Sequence, residues 1–338
     1  MSQTQPGISV IMPAFNVEKY IETAVASVRD QTFTDWELII VDDCSTDRTP
    51  DIARTFANSD SRIRYIRMAA PSGSAYQPRK AAIRHAQAAI VSPLDADDRI
   101  GPTCLEGMLS QKEQTGAAIV YPSLYLDSDN GEKPHIPSDP GLVGTVMAGK
   151  DAVGFTLDGW RINCNGGLID RNLYMYIYNN FDSTLTHACA DEYLTRQLLY
   201  YADKVAVSPE KYHYRTNGDS ITRRKTLKLF HFLQNNILLH SFISERYGRE
   251  SDTCLRMHRQ LFHGIYDAMR LENRYGFRQE ELRAQVRPMM AACIRLVDWE
   301  LIRCHESKKY YYLLKILQNH TDIARLILKA GDKAIGKI

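Results

Sequence analysis

A mostly parallel, three-layer α/β sheet followed by a helical region is the fold class this 338-residue sequence predicts. Short apolar runs alternate with amphipathic stretches over the first 121 residues, two of those runs end in dense clusters of acids, and helical spacing takes over from Thr226. The first run, Ile8 to Pro13, reads as a buried strand ended by proline. Ile21, Ala24, Val25 and Val28 then recur at helical spacing. Glu37 to Val41 is a second strand, running into Asp42-Asp43-Cys44-Ser45-Thr46-Asp47, after which Thr49-Pro50 offers an N-cap and a first-turn proline. Ile63 to Ile66 gives a third strand, Arg79 to Gln87 a helix, Ala88 to Leu94 a fourth strand and Ala117 to Tyr121 a fifth.

In sheets of this kind ligands bind at the carboxyl ends of the strands, where both acid clusters fall. The denser one is Leu94-Asp95-Ala96-Asp97-Asp98. Carboxylates this close repel one another unless a cation or strong donors neutralise them. A divalent metal does so simply, because Mg²⁺ and Mn²⁺ take hard oxygen ligands from one or two carboxylates and from substrate phosphates. The competing reading is a solvated turn or the start of a helix opened by Pro102.

Composition narrows the classes. A net charge of +2 exerts no global pull on nucleic acid, and none is expected as a partner. Seven cysteines without a C-x-x-C pair point to reduced thiols rather than a disulfide scaffold or zinc ribbon. No secretory apolar region appears near Met1, and no apolar run approaches the ~20 residues a spanning helix needs. The expectation is a cytoplasmic protein.

The run Val10 to Asn16, then Gln31-Thr32-Phe33, Val41 to Asp47 and Leu94 to Asp98, in this order, resembles glycosyltransferase family 2. One such motif is a weak signal, whereas four in order are specific. The resemblance is strong over residues 7–121 and thinner to 222. It implies the GT-A fold, a nucleotide-sugar donor and inversion at the anomeric carbon. It also implies a division into a transferase domain, 1–222, with a nucleotide-sugar half (7–121) and an acceptor half (122–222), and a helical region, 223–338.

By the same resemblance Pro13, Phe15 and Asp43 line the base, with Asp43 accepting from the uracil imide if the donor is a UDP-sugar. Phe15 suits stacking, with core packing as the alternative. Arg79 faces the diphosphate, which a guanidinium grips through paired hydrogen bonds; a solvated helix charge is the alternative. Asp95 and Asp97 form the D-x-D element. Asp97 is the expected ligand of Mn²⁺ or Mg²⁺, with Asp98 second and His213 as a candidate near the metal or a phosphate. Arg215, in Tyr212-His213-Tyr214-Arg215 before Ser220-Ile221-Thr222, would hold the leaving diphosphate. Trp160 offers an acceptor sugar an apolar platform, or is plain core. Asp191 matches the catalytic aspartate at the head of an amphipathic helix, and Glu192 is the fallback base. The chain departs from the family pattern at Cys44, where glycine is usual, at Pro78-Arg79-Lys80, and at Ala190, which replaces a glutamate.

The resemblance therefore implies one metal-dependent sugar transfer to a glycan or lipid-linked glycan in bacterial surface-polysaccharide synthesis. The Gln-x-x-Arg-Trp element of the processive synthases is absent, as is the glycine-rich G-x-G-T-R loop expected of a sugar-nucleotide pyrophosphorylase. A degenerate transferase serving as an assembly subunit is the non-enzymatic alternative. Asp127 to Gly141 reads as a loop. Lys308 to Ile338 carries seven Lys or Arg against two Asp, with Leu313, Ile316, Leu317, Ile323 and Ile327 near one face. Such a helix can lie on an anionic membrane, here the inner face of the cytoplasmic membrane, or dock on its own domain or on a second copy of the chain.

Overall fold

The computed structural model describes residues 5–128, 131–134, 140–157, 159–180, 190–215 and 226–305, with positions 308, 311, 312, 315 and 316. The first elements are β1 (Ile8–Ala14), α1 (Ile21–Arg29), β2 (Trp36–Asp42), α2 (Thr49–Ser59), β3 (Ile63–Arg67), α3 (Tyr76–His85) and β4 (Ile90–Pro93). These strands pair in parallel, in the order β3-β2-β1-β4. Every residue of β2 and all but one of β1 are buried, which is why both read as unbroken apolar runs. Glu37, near the start of β2, is satisfied by Arg64, the Ser9 hydroxyl and the Gln87 amide.

Several boundaries differ from the sequence expectation, the expected fourth strand running Ile90–Pro93 and the expected fifth Ile119–Ser128, and two of the differences have a local cause. Helix α3 starts three residues before Arg79, because Pro78 lies in its first turn, where a missing N–H costs nothing. Thr49 is the first helical residue rather than the cap: its hydroxyl accepts from the Val17 amide, and Asp47 accepts from the Thr49 amide.

Beyond β4 the sheet becomes mixed. It continues through β5 (Arg99–Ile100), α4 (Cys104–Thr115), β6 (Ile119–Ser128), β7 (Gly131–Pro134), β8 (Val146–Ala148), α5 (Gly149–Gly154), β9 (Leu168–Asp170), α6 (Arg171–Asn180), α7 (Ala190–Tyr201) and β10 (Lys204–Arg215). The order continues β4-β9-β6-β10-β5, with β9 antiparallel to both neighbours and β10 parallel to β6. Strand β10 shifts register between Val207 and Lys211, around Ser208-Pro209, where a proline is tolerated in a sheet. Part of the expected loop from Asp127 is thus the β6–β7 hairpin; residues 129–130 and 135–139 lie outside the described residues.

The chain divides into two compact units, one of residues 1–156 with 160–220 and one of 157–159 with 221–338. In the second, α8 (His231–Arg246) packs on α9 (Asp252–Tyr275), followed by α10 (Gln279–Glu281), a π-helical turn, α11 (Arg287–Leu296) and α12 (Trp299–His305). Ser251 caps α9 by accepting from the Cys254 amide, and Gly276 ends it in the left-handed conformation. The buried seam of α8 runs through Leu233, Leu239, Phe242 and Ile243, while Phe232, Ile237 and Leu238 lie half-buried at its margin. No helix among the described residues is long and apolar enough to cross a membrane. The basic stretch 308–338 falls almost wholly outside the described residues, as does Ser220-Ile221-Thr222.

Candidate active site

The loops leaving β1 and β2 knit together at the carboxyl edge of the parallel strands. Asn16 and Cys44, both non-glycine residues, take left-handed backbone with φ of 52° and 62°. Such a conformation persists only where the surroundings fix it, and here they do. Asn16 accepts from the Thr46 amide and donates its own amide to Ser45, while the Cys44 thiol reaches the Met68 carbonyl. The fully buried Asp42 carboxylate accepts from Tyr65, Arg67 and the Ser45 amide, so it orders the loop. Asp43 accepts from the Ser72 amide and hydroxyl and the Gly73 amide at 2.8, 3.0 and 3.2 Å. Phe15 is 51% exposed, which removes core packing as its role. Pro13, two residues earlier, is half-buried.

After β4 the acid cluster separates into three environments. Asp98 is buried, accepting from the Tyr212 hydroxyl at 2.6 Å and the Arg215 amide at 2.9 Å. Burial, then Asp97 and Asp95, push its pKa well above the usual carboxylate range. Asp97 is half-buried, and its carbonyl accepts from the Arg215 side chain at 3.1 Å, while that guanidinium lies over the Tyr20 ring. Asp95 pairs with Arg79 at 2.5 Å. Helix α4 begins six residues after Asp98, beyond reach of its dipole, so the acids do not serve as a helix start.

His213 does not join these acids. Side chains alternate along β10, so Tyr212 and Tyr214 face the cavity while His213 points the other way, 3.2 Å from Glu132 and beside Tyr125. Burial and the nearby Arg99 lower its pKa. Among the described residues no three His, Cys, Asp or Glu side chains converge as a protein-built cation cage requires. The remaining donor, Asp97, would fit a hard divalent ion that draws its other ligands from a diphosphate and water.

A cavity of about 450 Å³ opens beside Arg79 and Asp95. Its walls include Tyr121, Trp160, Tyr174, Tyr178, Asp191 and Glu192. Asp191 heads α7 and its side chain is 54% exposed, so it meets incoming molecules directly. The enclosing protein raises its pKa against the pull of Arg79. Glu192 instead pairs with Arg196 one turn on. Trp160 lines the cavity and is not plain core; the guanidinium of Arg196 covers it, 4.1 Å from the ring centroid. Gly166, at φ 68°, and Gly167 let the chain pass tightly behind Tyr212 and Tyr121: an added Cβ would lie 2.1 and 2.4 Å from those rings.

Several of these residues escape sequence reading. Arg196 is 1% exposed and bonds to the Thr156 and Glu192 carbonyls; its i,i+4 spacing from Glu192 was the available signal. Tyr174 and Tyr178, also four apart on one helix, stack at 4.7 Å, and Tyr76 stacks on Tyr178 at 5.2 Å. Burial pushes the Tyr174 phenol and the Cys164 thiol each up to about 12, so both stay neutral.

A mixed α/β sheet with acid-rich loops at its carboxyl edge and a carboxylate-bearing cavity beside them is the architecture of the GT-A fold. Residues 9–169 match the sequence profile of Glycosyl transferase family 2. TuaG of Bacillus subtilis (strain 168) is 38% identical over 131 residues, 39% of this chain and 52% of TuaG, so the match spans about half of that relative. WfgD of Escherichia coli, a UDP-Glc:alpha-D-GlcNAc-diphosphoundecaprenol beta-1,3-glucosyltransferase, is 28% identical over 192 residues, 57% of this chain and 69% of WfgD. In architecture the chain is similar to S. aureus TarS 1–349 solved with UDP-GlcNAc: TM-score 0.76, 18% identity, 98% of this chain and 92% of that one.

Proposed function

We propose that the protein is an inverting, metal-assisted transferase that moves one sugar from a UDP-sugar to a hydroxyl of a glycan or lipid-linked glycan in bacterial surface-polysaccharide synthesis. The observation that carries this reading is the junction of two carboxylate sites in one recess. Asp95, on the loop that also bears Asp97, and Asp191, at the head of α7, meet at the same arginine. WfgD, by its name, uses a UDP-sugar and a diphosphoundecaprenol-linked acceptor, which supports both substrate classes.

The chemistry follows from these positions. The acceptor hydroxyl lies in the cavity, its apolar faces against Trp160 and the tyrosines. Asp191 takes the hydroxyl proton as the oxygen attacks C1. The bond from C1 to the diphosphate oxygen breaks on the opposite face, and the nucleoside diphosphate leaves with the electron pair. Asp97 would hold a divalent ion, which when bound would supply Lewis-acid neutralisation of that leaving charge. Phe15 stacks on the base and Pro13 lines it. Asp43, held by Ser72 and Gly73, keeps lone-pair capacity for the base edge. Arg215 braces the Asp97–Asp98 loop while offering its charge to the diphosphate.

The deciding experiment screens nucleotide sugars by thermal shift, then measures sugar release and transfer from any stabilising donor with and without Mn²⁺. Stabilisation by UDP-sugars with manganese-dependent turnover is the expected result. A folded protein that binds donor and never turns it over is a degenerate subunit instead.

A further inference from the structure

Arg79 occupies a place that binding a diphosphate does not explain. It is 9% exposed, inside the recess, with one terminal nitrogen 2.5 Å from Asp95 and the other 3.9 Å from Asp191. Its Nε is buried without a hydrogen-bond partner. A guanidinium this desolvated, between two carboxylates from opposite sides of the site, acts on both. We infer that Arg79 is the positioning residue for the base, holding Asp191 ionised and aimed into the cavity, with Asp95 competing for the same guanidinium. This rests on Asp191 being the base of the transfer proposed above.

The charges around Asp191 leave that duty to Arg79. From α3 comes Arg79 and from the loop after β4 comes Asp95. From α6 comes Tyr178, whose buried phenol stays neutral. On its own helix, Glu192 and Arg196 pair with each other. The surrounding protein and Asp95 raise the pKa of Asp191, while Arg79 lowers it. A base must be ionised to accept a proton, so raising its pKa moves the acid limb of the rate profile to higher pH.

The two neighbours therefore act with opposite signs. With saturating donor, kcat/KM for the acceptor is measured against pH in wild type, Arg79→Gln, Arg79→Lys and Asp95→Asn. Removing an opposite charge at this range raises a carboxylate pKa by ~1 unit or more, so Arg79→Gln should move the acid limb up by at least ~1 pH unit. Arg79→Lys, which keeps the charge, should fall between it and wild type. Asp95→Asn, which frees the guanidinium for Asp191, should move the limb down. Damage to the fold alone cannot produce opposite shifts, and if Arg79→Gln fails to fold, the downward shift in Asp95→Asn decides. Limbs that coincide with wild type, with only UDP affinity reduced, would overturn the inference and make Arg79 a diphosphate ligand, leaving the transferase reading intact. Full transfer by Asp191→Asn would remove the base itself, and this inference with it.

Discussion

Neighbouring acids in this site differ in what surrounds them, and their substitutions should differ accordingly. Asp191 reaches solvent at the cavity mouth, whereas Glu192 is held by Arg196. Asp191→Asn cannot accept a proton, so transfer should fall by ~10² to 10⁴-fold with donor affinity near wild type, as for a group acting in the transition state. Glu192→Gln should be far milder. Initial rates and UDP-sugar titrations check both, and a reversal would make Glu192 the base. For the metal, Asp97→Asn should keep the fold and lose manganese-dependent donor binding, because an amide is a poorer hard ligand. Asp98→Asn should instead lower the melting temperature, since its carboxylate anchors Tyr212 and the Arg215 amide. Manganese dependence lost in the second variant and kept in the first would exchange these roles.

At the scale of elements, β1, β2 and the acid loops were legible because burial on both faces writes a continuous apolar run and the loops carry dense charge. Strand β10 was not, since Ser208-Pro209 interrupts its pattern at the register shift, and β8 and β9 have three residues each. The orientation of His213 was hidden for the same reason: without the strand, nothing fixes which way alternate side chains point. Arg196 and the stacked tyrosines depend on partners far along the chain, Thr156 and Tyr76, which local pattern does not reveal. The turn before β9 carries its own test. Gly166→Ala adds a Cβ that meets the Tyr212 ring at a left-handed backbone, so overpacking should cost about 1–3 kcal/mol in denaturant unfolding. A neutral result would mean that Tyr212 can yield without loosening Asp98.

For the whole molecule, the division near residue 221 leaves the helical unit without an assigned task. The basic stretch 308–338 makes one testable. A chain lacking it should no longer sediment with anionic vesicles, and binding by the intact chain should weaken as salt screens the basic face. Insolubility of the shortened chain, with the intact one indifferent to vesicles, would assign the stretch to the core or to a contact between copies.

The tight passage of Gly166 and Gly167 behind Tyr212 and Tyr121 also sets how this cavity can be redesigned. On that side backbone and rings already sit as near as atoms allow, so any side chain at either glycine displaces a wall. The cavity lining also contains Leu124, Leu126, Leu194 and Leu198, aliphatic groups that can be shortened without crossing a strained turn. Room for a bulkier acceptor can thus come from these leucines, and diversification of acceptor range, by selection or in the laboratory, should favour them while the glycine pair stays fixed.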